Sequence, residues 1–290
     1  MVKYEWYLND TEEVFNEHYK KWPELFQPYV DRPIEYIFND AGFRMKFEMD
    51  PDKSKKVDIY LGCSHTYGAG HYWENTWPYL VSQFTGNEIV NLGRGGHGSE
   101  SSYYNLIRYF ECFDVQNVFY FQDIVPRYDY FDKYGFAQPF CPQWYQSEEE
   151  TPYKDWHISG ALVEDWHIVY NHTKNVNAMI GFLKDKNVPF YNITEWPLDW
   201  SPDNASTDYY KAMTTGRSPL INGPVIADID KDWYEENCKK LLIARDGSHK
   251  IALTLKEIAD KFIKAVKNHK YQGYEESTPH MAKIFQKISR

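Results

Sequence analysis

The sequence is poor in several features that mark particular protein classes. Only four of its 290 residues are cysteine (Cys63, Cys112, Cys141 and Cys238), and none forms a C-x-x-C pair. That spacing supports neither a disulfide framework nor a zinc site, and it fits a reducing setting. No apolar run approaches the roughly 20 residues that cross a bilayer. The opening Met1-Val-Lys-Tyr-Glu-Trp6 lacks the apolar segment of a secretory signal. The expectation is a cytoplasmic protein without a membrane partner. Positive charge is scarce too, with 32 Lys and Arg against 42 Asp and Glu and a net charge of −10. No basic stripe offsets phosphate repulsion, so nucleic acid is not an expected partner. Internal repeats are absent.

Aromatic residues, by contrast, are abundant: 18% of the chain, including 25 Tyr and 10 Trp. Such rings stack on sugars, build partner surfaces, or simply fill a core. The apolar share of 42% suffices for one large domain or one domain with insertions.

Periodicity divides the chain. Residues 1–50 read as an N-terminal extension, with a helix over 11–21 capped by Thr11 and ended by Pro23, and a short element over 34–38. Residues 57–61 alternate apolar and polar with β-branched enrichment, which predicts a strand. Further strands are expected over 88–91, 117–123 and 188–192. Helices are expected from about 76 to 85, 99 to 112, 164 to 185 and 251 to 266. Between them lie long irregular insertions, about 126–165 and 196–228, and a polar tail over 271–290. Strands alternating with helices predict an α/β fold: a three-layer domain over 51–270 with a mainly parallel sheet.

Loops that follow parallel strands gather at one sheet edge. Three of them carry chemistry-bearing residues. The first strand runs into Gly62-Cys-Ser-His-Thr-Tyr-Gly68, which holds a hydroxyl at that edge. A helix starting at Ser64 would add free N–H groups suited to an oxyanion; the alternative is a tight turn in which Ser64 is only an N-cap. The second strand enters Leu92-Gly-Arg-Gly-Gly-His-Gly-Ser99, and the third ends at Gln122-Asp123. Far downstream, Asp246 and His249 stand three apart. On a helical turn that spacing lets the carboxylate hold Nδ1 and leaves Nε2 as a base for a serine hydroxyl. Taken alone, Asp246-Gly-Ser-His249 also reads as a turn capped by the aspartate. Cys63 is expected to point away from Ser64. His65, His71 and His97 have no spacing that suits a metal site, so no metal and no cofactor is expected.

These blocks resemble those of the SGNH (GDSL-type) hydrolase superfamily, esterases and acylhydrolases on a flavodoxin-like α/β/α fold. Gly62-Cys-Ser-His-Thr-Tyr-Gly68 resembles the family's G-D-S-x-T-x-G, which implies Ser64 as nucleophile. Asn91-Leu-Gly93 is similar to its second block and implies the Gly93 N–H as an oxyanion donor beside that of Ser64. Tyr120-Phe-Gln-Asp123 aligns with G-x-N-D, placing Gln122 as the side-chain donor. Asp246-Gly-Ser-His249 resembles D-x-x-H, implying Asp246 and His249 as the rest of a catalytic triad. Departures are plain: Cys63 for Asp, Gln122 for Asn, Tyr120 for Gly, and Lys250 for the Pro that often follows the His. The G-C-S-H-T-x-G variant is similar to SGNH-like proteins of tailed phages and marine microbes.

The resemblance implies cleavage of an ester through an acyl-enzyme, the substrate being a small-molecule or glycan ester such as a short O-acyl group on a sugar. Aromatics around the site (Tyr72, Trp73, Trp77, Tyr128, Tyr130) favour that substrate over a lipid, or else pack in the core. Arg94 and Arg127 either bind an anionic substrate group or pair with nearby acids. The rival is a non-catalytic SGNH-like scaffold, such as a virion or assembly component, binding glycan or a partner protein; oligomer or virion partners go with that reading.

Overall fold

The computed structural model describes residues 1–49, 55–122, 127–131, 133, 137–140, 165–194, 244–246, 249 and 252–268. The expectations for 196–228, for the tail over 271–290, and for Asp123 and Lys250 lie outside the described residues.

The N-terminal part pairs β1 (Val2–Tyr4) antiparallel with β2 (Tyr36–Phe38) around two helices, α1 (Glu12–Lys21) and α2 (Pro23–Asp31). Thr11 caps α1 as its sequence predicts, its hydroxyl accepting from the Val14 N–H at 3.3 Å. Pro23 does more than end that helix: it opens α2. A proline has no N–H to leave unpaired in a first turn, so the residue that stops one helix starts the next.

The main sheet is built from β3 (Lys56–Leu61), β4 (Glu88–Asn91), β5 (Asp114–Gln122) and, after the hairpin of β6 (Tyr128–Phe131) and β7 (Ala137–Phe140), β8 (Phe190–Thr194). Its order is β4-β3-β5-β8, and each neighbouring pair is parallel. Alternate residues of each strand face opposite layers. Val57, Ile59, Leu61, Val118 and Tyr120 pack with Leu106 and Phe110 and with Met179, Ile180 and Leu183. Tyr60, Phe119 and Phe121 pack with Trp77 and Val81 and with Leu255, Ile258 and Phe262. The covering helices are α5 (Ser99–Tyr109) and α6 (Asp165–Asp185) on the first face. On the second are α4 (Trp77–Thr85) and α7 (Ala252–Lys267); the turn α3 (Ser64–Tyr67) lies at the sheet's edge. This is a three-layer α/β/α architecture with a parallel sheet. Each fully buried apolar side chain contributes about 1.5–3 kcal/mol to holding the layers together.

The hairpin β6–β7 lies within 126–165, where the sequence shows no clear period. Its strands are four residues each, too short to declare themselves, and they pair with each other rather than with the main sheet. A third apolar cluster, including Phe26, Tyr29, Tyr36 and Phe38, belongs to the N-terminal part but also takes in Tyr67, Ala69 and Tyr72 from just beyond Ser64.

Candidate active site

Strand β3 delivers the chain to Gly62 with φ 138°, where a Cβ would stand 2.3 Å from Thr66 Oγ1 and 2.7 Å from the Phe121 carbonyl. Only glycine permits that bend so close to β5. Ser64 follows as the first residue of α3, 7% exposed. The N-cap position is Cys63, and no side chain caps the turn, so Ser64 is not a capping serine. The helix expected here is one turn of four residues. A macrodipole needs aligned peptides along several turns, so any stabilisation of negative charge comes from individual N–H groups. Cys63 does not point away: its Sγ lies 3.9 Å from Ser64 Oγ, within the longer reach of a sulfur hydrogen bond. Both side chains turn to the same side because Gly62 and Cys63 leave the strand before its alternation would separate them.

The turn is fastened from two directions. Thr66 donates its hydroxyl to the Leu61 carbonyl at 3.2 Å. Asn91, at the end of β4, donates to the Thr66 carbonyl at 2.8 Å, and its Oδ1 accepts from the Gly93 N–H at 3.0 Å. Asn91 therefore ties the second block to the first, and in doing so it engages the Gly93 N–H. From the N-terminal part, the buried Arg44 donates to the carbonyls of Tyr67, Gly68 and His71 (3.3 Å and 2.8 Å for the first and last). Its guanidinium also lies over the Tyr36 ring at 4.5 Å. Neither Asn91 nor Arg44 was legible as a support from sequence, since both work through backbone carbonyls that any residue supplies.

The remaining candidates fall in different places. The glycine loop passes over Ser64, close enough that a Cβ on Gly95 would stand 3.9 Å from Ser64 Cβ. The Arg94 guanidinium lies over the Phe43 ring at 5.1 Å. The Arg127 carbonyl packs against Gly98 at the start of α5. Gln122 ends β5 two residues past Tyr120, the partner of Leu61, so its backbone lies at the same sheet edge as Ser64. Its side chain is outside the described residues. Of the expected aromatics, Tyr72 and Trp77 belong to the core. The Tyr72 hydroxyl donates to the carbonyls of Pro28 and Arg32, and Trp77 stacks on Phe262 at 4.8 Å.

Asp246 and His249 do meet. Asp246 Oδ2 contacts His249 Nδ1, and Asp246 Oδ1 accepts from the His249 N–H at 3.2 Å. The capped turn and the carboxylate–imidazole pair, alternatives in the sequence, are one arrangement. The carboxylate side chain is fully buried and the imidazole is 14% exposed. A carboxylate on Nδ1 fixes the ring and makes Nε2 its acid–base edge. The His249 ring lies edge-to-face on that of His65, 5.4 Å between centroids, and His65 is the residue after Ser64. The pair from the far end of the chain thus sits against the turn that carries Ser64. Of the other histidines, His71 is buried and His97 pairs its Nδ1 with Asp129 Oδ1 at 3.0 Å. Among the described residues no group of three or more His, Cys, Asp or Glu is placed to hold a metal ion, and no helix is long and apolar enough to cross a membrane.

No protein-family model and no curated protein matches this sequence. Among solved structures the chain is similar to one described as "a putative lipolytic protein of G-D-S-L family" from Desulfitobacterium hafniense DCB-2. The identity is 12%, the match covers 71% of this chain and 99% of that one, and the TM-score is 0.36.

Proposed function

We propose that the protein is a serine hydrolase that cleaves a carboxylic ester through an acyl-enzyme. The observation that carries the reading is the Asp246–His249 pair packed on His65, the neighbour of Ser64. In this mechanism His249 Nε2 takes the Ser64 proton as Oγ attacks the ester carbonyl, and Asp246 holds the ring and balances the imidazolium. The imidazolium then returns the proton to the departing alcohol, and water repeats the sequence to free the acid. The Ser64 N–H is the first oxyanion donor. Gly93 joins it by sharing its N–H between Asn91 Oδ1 and the oxyanion, and Gln122 is the side-chain donor. A Ser64 that is 7% exposed beneath the Gly95 loop suits a short acyl group, such as one carried on a sugar.

The second reading, a scaffold without catalysis, also has an observation in its favour. Among the described residues the Ser64 hydroxyl bonds to the Cys63 thiol and the Gly93 N–H to Asn91, so two parts of the machinery are otherwise engaged. One experiment separates the two. The protein is incubated with a fluorophosphonate probe and with p-nitrophenyl acetate, beside Ser64→Ala and His249→Ala. The hydrolase reading expects one label per chain in the wild type and none in either variant. A folded wild type that takes no label and releases no nitrophenol leaves the scaffold.

A further inference from the structure

The N-terminal part shows nothing that resembles chemistry in its sequence, yet it grips the residue beside Asp246. The Arg245 guanidinium spreads over the Asp10 carboxylate: Nε lies 2.9 Å from Oδ1 and 3.0 Å from Oδ2, and Nη2 lies 2.8 Å from Oδ2. Nη2 also donates to the Glu5 carbonyl, and the guanidinium plane lies 3.8 Å from the Trp6 ring centroid. Both ends of the pair are buried, at 1% and 0% side-chain exposure. Tyr36 completes the clamp, donating its hydroxyl to Asp10 Oδ2 at 2.5 Å and accepting from the Gly70 N–H at 2.9 Å. Gly70 in turn accepts from the Arg245 N–H at 2.8 Å through its carbonyl. Its φ is +70°, and a Cβ there would stand 3.1 Å from Asp246 Oδ1. Asp10, Tyr36, Gly70 and Arg245 thus close a ring of hydrogen bonds whose last member is covalently next to the carboxylate on His249.

We infer that Asp10 is a positioning residue for the Asp246–His249 pair, setting through Arg245 where the imidazole is held against the turn of Ser64. The inference rests on the reading of His249 as the base. A buried ion pair contributes little net stability, because desolvation cancels much of its attraction, but its fork geometry admits only one arrangement. A device of that kind fixes direction more than it adds stability. It is placed where direction matters, since an imidazole displaced by about 1 Å can lose about a hundredfold in rate. Burial pushes the Asp10 carboxyl above the usual carboxylate range, while Arg245 and Tyr36 pull it down. Loss of either member leaves the other buried and uncompensated.

The test uses the full chain with Asp10→Asn, which keeps the shape and removes the charge. Two quantities are read: the rate at which a fluorophosphonate labels Ser64, and the imidazole Nδ1–H resonance of His249 by NMR, assigned with His249→Gln. Expected for Asp10→Asn are a native circular-dichroism spectrum, labelling slower by tenfold or more, and a shifted or exchange-broadened Nδ1–H. Labelling within twofold of the wild type with an unmoved resonance overturns the inference and leaves the hydrolase reading intact. A wild type that is never labelled but whose resonance is lost in Asp10→Asn sinks the hydrolase reading and upholds the positioning. Should Asp10→Asn fail to fold, Tyr36→Phe removes one hydroxyl from the same ring. About threefold slower labelling with a moved resonance is then the supporting result, and an unmoved resonance with unchanged labelling the overturning one.

Discussion

The parallel sheet and the N-terminal part hold their surroundings by opposite means. Around β3 the contacts are apolar and non-directional: Val57, Ile59 and Leu61 are fully buried among other hydrocarbon side chains. Around Ser64 and Asp246 the N-terminal part works through buried charge, with Arg44 on three carbonyls and Asp10 on Arg245. The first kind of packing tolerates change of shape at constant volume; the second tolerates no missing partner. The two loops of the candidate site thus leave the sheet and are held in place by groups whose loss is far more damaging than their presence is stabilising.

Three substitutions sharpen or break that contrast. The largest effect is expected from Arg44→Met, which fills the same space but strands the buried carbonyls of Tyr67 and His71 and leaves that of Gly68 only the His71 N–H. It should cost about 4 kcal/mol or more of unfolding free energy by urea titration. A loss near 1 kcal/mol would mean that the junction is no different in kind from the sheet. Next is a pH effect at Glu100, where burial raises the carboxyl to about 7. Its Oε2 accepts from the Asp129 N–H at 3.3 Å, while the Asp129 carboxylate accepts from the N–H groups of Gly98 and Ser101. Between pH 4.5 and 7 the folded chain keeps a proton there that the unfolded chain releases. The stability so gained is full below pH 4.5 and lost as pH rises through 7. Relative to Glu100→Gln, the wild type should lose about 2–3 kcal/mol from pH 4.5 to pH 7.5. His172, whose imidazole is lowered to about 4 by desolvation, acts in both proteins and cancels in that difference. Parallel curves for the two proteins would remove Glu100 from the account. Smallest is Ile59→Val in the sheet, expected at about 1 kcal/mol by the same titration. A loss of 3 kcal/mol there would erase the distinction from the other side.

The sheet was legible because a buried parallel strand spells itself out: residues 57–61, 88–91 and 117–123 become β3, β4 and β5 with shifts only at their ends. The pairing of Asp246 with His249 was legible from spacing, since three residues suffice for a turn to bring them together. What was hidden lies in contacts between distant polar groups. Asp10, Tyr36 and Arg44 carry no periodicity and no motif; an aspartate after a Tyr-Leu-Asn run looks like any turn residue. Arg245 looks like a surface charge until Trp6 and Asp10 enclose it. The departures from the resemblance were informative in one place. Cys63, expected to face away, instead accepts from the Ser64 hydroxyl through its sulfur.

Asp10 and Arg245 are separated by 235 positions. A ribosome emits the first strands of the sheet and the turn of Ser64 well before it emits that arginine, and N-terminal units fold as they appear. Joining ends so far apart is among the slowest and entropically most demanding steps available to the chain. A nascent polypeptide therefore carries the turn of Ser64 without the Asp246–His249 pair that packs on it, and gains the second only as the closing contact of its folding.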